Sequence, residues 1–514
     1  MYVLAHLEGD MLDSLIGGLL LLLQWKSFLH MLIGIFIGFW VGILPGIGGG
    51  TALALMLPFV YKMAPQEGIS FLLGMHSVIA TTGDITSVLF GIPGEPTTVA
   101  TIMDGYPMAK KGEAGRALGA TLMSSLVGAV VGAAVLAGAI PVVRPVVLAL
   151  GSPEMLMVIV IGLTFISSLS GRGKHGLFIG WLAGGVGFLC SMIGEDPQTG
   201  ILRFTFGSLY LFNGIPLVPV ILGLFAIPEV VDLKVRGTAI AGDLPPGNLG
   251  KGAMEGVRDT FRHFWLTVRC SLIGCWIGLF PGLGGAVSQW VSYAHAVQSA
   301  KTPEERAGFG KGDVRGVIGP GAANNSKEGS GLIPTVAFGI PASSGMAILL
   351  GGLLIMGLVP GPEMLAKNLP LTFSMAWTIA LANIICVPAS LLFINQLARL
   401  TTVRGSLLIP VIVVLCFLGA SGTNILIGDL VVLVISGGVG YLMVRFGLPR
   451  PPFVMGFILG NLAESYLGLS NSIYGFSWVY RPGVIILFCV ALGVSLYPFL
   501  IGKKIAGAKE LKET

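Results

Sequence analysis

Charge is what this chain has least of. Lys, Arg, Asp and Glu make up 11% of its 514 residues, against about 25% in soluble globular domains. A water-facing surface for a globule of this size cannot be built from so few. Cysteine is scarce too: Cys190, Cys270, Cys275, Cys386, Cys416 and Cys489 sit in apolar surroundings without a CxxC pair. They read as small core residues, not as a disulfide or metal framework. The six histidines form no HExxH and the chain has no GxSxG, which removes the common hydrolase signatures. The start, MYVLAHLEGDMLDSLIGGLLLLLQ, has acids ahead of its short apolar run and no basic segment. A short or interfacial first helix is expected there, not a cleaved signal peptide. The net charge of +5 gives no sign of a nucleic-acid partner.

Apolar residues are what is abundant, at 54% of the chain with a mean hydropathy of +0.88. Runs such as GATLMSSLVGAVVGAAVLAGAI (119–140) and MLMVIVIGLTFISSL (155–169) recur. A spanning helix needs roughly 20 apolar residues, so the length allows about ten to twelve segments in a lipid bilayer. The runs are continuous and do not alternate, which excludes a transmembrane barrel. The expected fold is an all-α polytopic membrane protein.

Its internal organisation is duplicated. GFWVGILPGIGG (38–49) returns as GCWIGLFPGLGG (274–285), an offset of 274 − 38 = 236. SVLFGIP (87–93) returns as TVAFGIP (335–341), an offset of 335 − 87 = 248. MDGYP (103–107) loosely matches MGLVP (356–360) in the same order. The second repeat therefore carries 248 − 236 = 12 extra residues between its first two blocks.

Loop charges set the orientation. After the first Gly-rich block, YKMAPQEG (61–68) is near neutral, whereas SAKTPEERAGFGKGDVR (299–315) has four basic residues. After the second block the bias reverses: PMAKKGEAGR (107–116) has three basic residues and PGPEMLAKNLP (360–370) has one. Equivalent loops thus face opposite sides, as inverted-topology repeats require. The basic loop 231–265 is placed in the cytoplasm. The arms on either side of PGLGG, 266–280 and 286–298, are then too short to span. A re-entrant hairpin is expected in each repeat, with tips at 45–50 and 281–285, and a broken helix around 91–98 and 339–345. Non-helical backbone at membrane depth survives only within protein or beside a polar cavity, so two opposed tips mark a binding site. Close Gly-mediated helix packing is the plainer alternative. The remaining segments read as a short N-terminal helix (1–27), repeat one (28–140), scaffold helices (141–230), repeat two (266–398), further scaffold helices (399–502) and a cytoplasmic tail (503–514).

Two polar clusters interrupt the repeats: MHSVIATTGDITSVLFGIPGEPTTVATIMDG (75–105) and GPGAANNSKEGSGLIPTVAFGIPASSGMAILLGG (319–352). At offset 248, His76 and Ser77 align with Asn324 and Asn325. Neutral Asn, Ser and Thr can hold a carboxylate or a dehydrated Na⁺, and helix starts after each Gly-Ile-Pro offer N–H groups to an anion. Lys327 and Glu328 either pair with each other or stand near the substrate. Asp84 is an acid inside an apolar helix, which suits a functional role or a helix-end role. Glu95, between two prolines, is not favoured as a coupling site. Glu464 is a subunit contact or structural glue. Asn324–Asn325–Ser326 spells a glycosylation sequon by coincidence in a buried segment, and SKEG lacks the Gly that a phosphate loop needs before Lys327.

With these blocks in view, the chain resembles the large membrane subunit of the tripartite tricarboxylate transporter family (TctA-like). The resemblance rests on VGILPGIGGGTALALMLP, FGIPGEPTTVATIMDGYPMAKKGEAGRALGA and AANNSKEGSGLIPTVAFGIP followed by GLVPGPEML, within about residues 15–500. It implies a multi-pass permease of the bacterial inner membrane, working with a small four-helix membrane subunit and a periplasmic solute-binding protein. It implies uptake of citrate and other carboxylates driven by a cation gradient, typically Na⁺. The sequence departs from the family pattern at Ala342, where Gly is usual, and at Ser343–Ser344–Gly345. Tri-, di- and aromatic carboxylates therefore all stay open.

The expectation is a secondary-active carboxylate importer and not an enzyme, without a cofactor other than its coupling ion (Na⁺, with H⁺ open). Gly46, Thr97, Thr98, Gly282, Asn324, Ser343 and Ser344 are the candidate substrate contacts. Gly48, Gly49, Gly284 and Gly285 at the tips, with Asn325, are the candidate cation ligands. Hairpin-built repeats suit elevator-like motion, with rocking as the alternative. A passive channel built from paired Gly-rich loops and an intramembrane enzyme are the rival classes.

Overall fold

Backbone N–H and C=O groups have no water to bond in a bilayer, so a spanning chain satisfies them within helices. The computed structural model describes residues 2–44, 48–169, 173–196, 198–236, 249–281, 284–396, 409–421 and 426–493. Gly46 and Gly282 at the two tips, and the tail 503–514, fall outside them. Nearly every described residue is helical. The elements are α1 (Tyr2–Leu23), α2 (Trp25–Gly42), α3 (Gly49–Val60), α4 (Pro65–Phe90), α5 (Val99–Lys110), α6 (Ala114–Leu148), α7 (Ser152–Leu169), α8 (Gly173–Ser191) and α9 (Leu217–Arg236). They continue as α10 (Leu249–Arg262), α11 (Phe264–Gly278), α12 (Gly284–Gln298), α13 (Pro303–Ala307), α14 (Arg315–Phe338), α15 (Ser344–Ile355), α16 (Pro362–Leu365) and α17 (Leu369–Leu392). Further helices cover Ile409–Ser421, Ile427–Arg445 and Arg450–Tyr474, then Pro482–Gly493. A two-residue antiparallel strand pair joins Gly194–Glu195 to Leu202–Arg203. Five of the helices are long and apolar enough to cross a bilayer. The protein is an all-α polytopic membrane protein.

The helices beside the Gly-rich breaks are shorter, with 12 residues in α3 and 15 in each of α11 and α12. Their packing is written in glycine. A Cβ at Gly34 or Gly38 of α2 would run into the backbone of Phe71 or Met75, and one at Gly42 would meet Ile79 and Thr82. These pairs rise together, so α2 runs parallel to α4 at a separation of 37 (71 − 34, 75 − 38, 79 − 42). In the second repeat Cys270 lies against Gly319, Gly274 against Ala323, and Gly278 against Lys327. That is the same parallel seam at a separation of 49 (319 − 270, 323 − 274, 327 − 278). The difference, 49 − 37 = 12, is the insertion that separates the two sequence offsets. α2 therefore ends beside the middle of α4, and α11 beside the middle of α14.

Between the repeats the direction reverses. His76 of α4 meets Glu328 of α14, Asn324 Nδ2 donates to the Ala80 carbonyl at 2.6 Å, and Asn325 Nδ2 to Thr81 Oγ1 at 2.5 Å. From the pair 76 and 328 to the pairs 80 and 324 and 81 and 325, four to five residues on, the α14 number falls as the α4 number rises, so the equivalent helices α4 and α14 cross antiparallel. The repeats have inverted topology. The long helices also exchange: α6 of repeat one packs on α14, and α17 of repeat two packs on α4. α3 touches α15, while α12 touches α5 and the short 3₁₀ turn before it.

The stretch 231–265 differs from the loop expected of it. α9 runs on to Arg236, and α10 fills Leu249–Arg262. Leu249, Ala253 and Gly256 recur at helical spacing and lie against Gly115, Gly119 and Arg116 of α6, while Glu255 and Arg258 stay outside. Mixed charge hides this amphipathic helix from a hydropathy reading. Arg116 Nε binds the buried Asp259 at 2.6 Å on the same seam. Glu464 serves within the chain: Arg203 clasps it with both guanidinium ends, Nη2 lying 2.8 Å from Oε2. Arg481 and Glu154 make a comparable tie at 2.7 Å.

Substituting Leu at Gly38 or at its counterpart Gly274 should destabilise the protein by about 1–3 kcal/mol through overpacking, read as a lower thermal midpoint in detergent. Gly138→Leu should leave the midpoint unchanged, because a Cβ at Gly138 would meet nothing within 4 Å.

Candidate substrate and ion site

Each long central helix stops at the same place. α4 and α14 both end on a glycine in the left-handed region, Gly91 at φ 67° and Gly339 at φ 69°. An L side chain is strained there, and the Ile-Pro that follows cannot continue the helix. The chain then restarts through a capping residue. In repeat two this is Ser343, whose hydroxyl accepts from Met346 N at 3.2 Å. In repeat one it is Glu95, which forms a reciprocal box with Thr98 at the 3₁₀ turn before α5. Glu95 and Ser343 are equivalent at offset 248. The duplicated frame thus puts an acid on one side and a neutral hydroxyl on the other.

The two hairpin tips close on this crossing from different sides. At the first tip the imidazole of His76 is wedged between helix starts. A Cβ on Gly49, the first residue of α3, would lie 3.1 Å from His76 Nδ1 and 3.0 Å from Glu95 Oε1. A Cβ on Gly345, in the first turn of α15, would lie 2.6 Å from His76 Cε1. His76 Nε2 lies 3.1 Å from Glu328 Oε2, and its Nδ1 has no partner. The N-cap of α3, Gly48, supplies no side-chain cap, so the first N–H groups of that helix lack an intrahelical acceptor.

At the second tip the side chain is Lys327. A Cβ on Gly285, in the first turn of α12, would lie 2.6 Å from Lys327 Nζ and 2.5 Å from Thr97 Cγ2. Lys327 and Glu328 form an ion pair, both nearly inaccessible to solvent. Lys327, Glu328, Gly285, Ser343, Ala342 and Met346 line a cavity of about 10 Å³, room for roughly one water molecule. An ammonium beside the positive end of a helix is a repulsive arrangement, which the paired Glu328 carboxylate offsets.

The profile of the tripartite tricarboxylate transporter TctA family matches residues 28–455. The chain belongs to that family. An uncharacterised 52.8 kDa protein encoded in the TAR-I ttuC′ 3′ region of Agrobacterium vitis is 31% identical over 460 residues, 89% of each chain. A second protein of that organism, from the TAR-II ttuC′ 3′ region, is 31% identical over 194 residues, 38% of this chain and 79% of the relative. No solved structure matches the chain. Family membership makes this protein the large subunit type of a tripartite transporter, embedded in the membrane by several apolar helices.

Within this TctA-family frame the residues singled out from sequence separate into groups. Gly49, Gly285, Thr97 and Ser343 lie at the tips, with Ser344 exposed on the first turn of α15. Gly48 and Gly284 flank them in sequence. Thr98 is wholly buried, accepting from Ser87 at 2.7 Å and donating to the Glu95 carbonyl at 2.9 Å. Asn324 and Asn325 belong to the crossing. The Asn325 amide nitrogen is shared among Thr81, Ser125 at 2.9 Å and Asn383 at 2.9 Å, partners on α4, α6 and α17. Lys327 and Glu328 pair with each other, one of the two readings left open by sequence. His76 was visible only as the partner of Asn324 in the repeat alignment. Its contact with Glu328 spans 252 residues and has no local signal.

Gly345→Ala should displace the His76 imidazole from Glu328 and reduce transport at least tenfold while the protein still extracts as a monodisperse species. Wild-type transport by this variant would show that the wedge is unimportant.

Proposed function

We propose that this TctA-family chain carries carboxylates across the bacterial inner membrane by cation-coupled uptake, with Na⁺ as the coupling ion. One observation supports this most: the buried Lys327 ammonium and Thr97 flank the start of α12 at Gly285. A carboxylate there would accept from the ammonium and the first N–H groups of α12 (charge-assisted bonds of the stronger kind), with Thr97, whose hydroxyl donates to Glu95, beside it. The exposed Ser344, the half-buried Ser343 and the uncapped start of α3 at Gly48 and Gly49 would meet a second carboxylate or the ion. Thr98, Asn324 and Asn325 would shape the site from behind, their hydrogen-bonding nitrogens and hydroxyl being engaged within the protein. A dicarboxylate, tricarboxylate or aromatic carboxylate fits this chemistry.

A periplasmic binding protein would deliver the substrate and a small membrane subunit would flank the scaffold. Alternating access would be elevator-like. The buried cross-repeat contacts of His76 and Asn325 join both repeats, which favours their moving as one body over rocking against each other.

The test is uptake into proteoliposomes holding the chain with a small membrane subunit and binding protein of the same family, where its source encodes them, using a panel of di-, tri- and aromatic carboxylates. An inward Na⁺ gradient should drive accumulation of at least one of them. A Lys327→Met, Glu328→Gln double variant removes both charges together, which avoids leaving one buried charge unpaired. It should fold and lose at least nine-tenths of uptake. Uptake at the wild-type rate would refute the assignment of Lys327.

A further inference from the structure

The crossing of α4 and α14 holds more negative than positive groups. Glu95, Glu328 and Asp84 are buried carboxyls; Lys327 is the one buried amine and His76 the one buried imidazole among them. With all three acids ionised the formal charge is −3 + 1 = −2, or −1 with a cationic His76. Charge at membrane depth is costly and calls for a partner. Glu328 has Lys327 and His76. Glu95 lies against the helix start at Gly49 and accepts from Thr97 Oγ1 at 3.3 Å. Asp84 makes no ion pair among the described residues, Lys327 acting on it only at longer range.

The surroundings of Asp84 are short of donors. Its Oδ2 accepts from Thr121 Oγ1 at 3.1 Å and, more distantly, from Asn324 Nδ2 at 3.4 Å. Its Oδ1 accepts nothing, and it is fully buried. Asn324 Nδ2 is drawn to the Ala80 carbonyl, which fixes the amide and leaves Asn324 Oδ1 without a donor as well. Thr101 of α5 faces the same carboxyl, yet its hydroxyl completes no hydrogen bond. Asp84 Oδ1, Thr101 Oγ1 and Asn324 Oδ1, on α4, α5 and α14, are each fully buried without a completed hydrogen bond, and each has lone pairs to offer. Leaving such groups without a partner is costly. A cation is one guest that would satisfy them.

We propose that Asp84 holds a coupling cation, H⁺ or Na⁺, on Oδ1, with Asn324 Oδ1 and Thr101 Oγ1 as its other oxygen partners. A proton would sit on Oδ1 and donate to one of them. Na⁺ would draw on all three, as hard cations take oxygen ligands. The charged groups facing this point are Lys327 from α14 and Glu95 from the turn before α5. α6 contributes the neutral Thr121. This site is separate from the tips, and Asp84 has no counterpart in repeat two, where Leu332 takes its place at offset 248. The inference deepens the reading of the chain as a cation-coupled carrier and rests on it for the word coupling.

The first test needs no substrate. The full-length protein in detergent is melted across a Na⁺ series at constant pH, and across a pH series without Na⁺. The wild-type midpoint should rise with Na⁺ or with acidification, and Asp84→Asn should flatten that response. A variant that responds like wild type, or a wild type that responds to neither cation, overturns the proposal. If Asp84→Asn does not fold, Asp84→Glu decides: one extra methylene should shift the half-maximal cation concentration at least tenfold, and an unchanged value overturns the site. Uptake in proteoliposomes then separates the two readings. Absence of carboxylate accumulation by the wild type counts against the carrier function and leaves the melting result standing. Gradient-driven accumulation should fall at least tenfold in Asp84→Asn, with exchange of labelled for unlabelled substrate retained. Unchanged cation dependence of uptake overturns Asp84 as the coupling site.

Discussion

The antiparallel crossing of α4 and α14 is the constraint from which the rest follows. It buries His76, Asp84, Asn324, Asn325, Lys327 and Glu328 at a depth where water cannot satisfy them. Each must find its partner in protein or in a guest. The pairs 76 with 328 and 80 with 324 share a midpoint at Val78 and Ser326, which are themselves 248 residues apart. The repeat axis therefore passes through the polar crossing. Each hairpin is then hung on its own long helix by a seam of small residues. Because that register is fixed, Gly42 stops beside Ile79 and Gly278 beside Lys327. Ile79 and Lys327 are equivalent positions next to the axis, so both tips arrive at the crossing without further instruction.

Much of this frame was legible because duplication leaves a record that survives divergence. Two offsets, 236 and 248, already contained the 12-residue insertion that the packing registers of 37 and 49 repeat. Gly-Ile-Pro announced where both central helices stop, since φ near +68° and a missing N–H are local demands. The partnerships across the axis were not legible. No periodicity says that His76 will face Glu328, because that contact depends on the angle at which two distant helices cross. Asn325 illustrates the same limit from the other side. Its composition suited an ion ligand, yet the two-residue step from it to Lys327, just over half a turn of helix, aims its amide at α6 and α17. Helix α10 was hidden for a different reason: its apolar stripe is made of Leu, Ala and Gly among charges, too weak for hydropathy though sufficient against Gly115 and Gly119.

A symmetric frame carries unsymmetric chemistry. At equivalent positions His76 stands against Asn324, Ile79 against Lys327, Ala80 against Glu328, Asp84 against Leu332 and Glu95 against Ser343. In each of these five pairs the residue that is ionisable in one repeat is replaced by a neutral one in the other. The half-sites consequently differ: His76 and Glu95 attend the start of α3, and Lys327 attends the start of α12. Inverted repeats supply two related conformations by exchanging the roles of the halves. Selectivity for one anion and one cation requires that the halves not be interchangeable in charge. The sequence differences at these five pairs meet that requirement without disturbing the glycines that set the backbone.

The same contacts limit how such a carrier could move. Rocking one repeat against the other would pull His76 from Glu328 and Asn325 from Thr81 in every cycle. Each step would leave buried charged or polar groups without partners, at several kcal/mol in a low-dielectric interior. The outer sides of α3 and α15 face a different kind of surface. Pro58 of α3 and Leu222 both lie against Gly419, and Gly351 of α15 lies against Leu217, Ile221 and Ile458. These neighbours belong to α9 and to the helices Ile409–Ser421 and Arg450–Tyr474. Apolar contacts are non-directional, so sliding there exchanges one set for another without stranding a hydrogen bond. On the carrier reading, the boundary of lowest cost lies between the paired repeats and these later helices, and not between the repeats themselves.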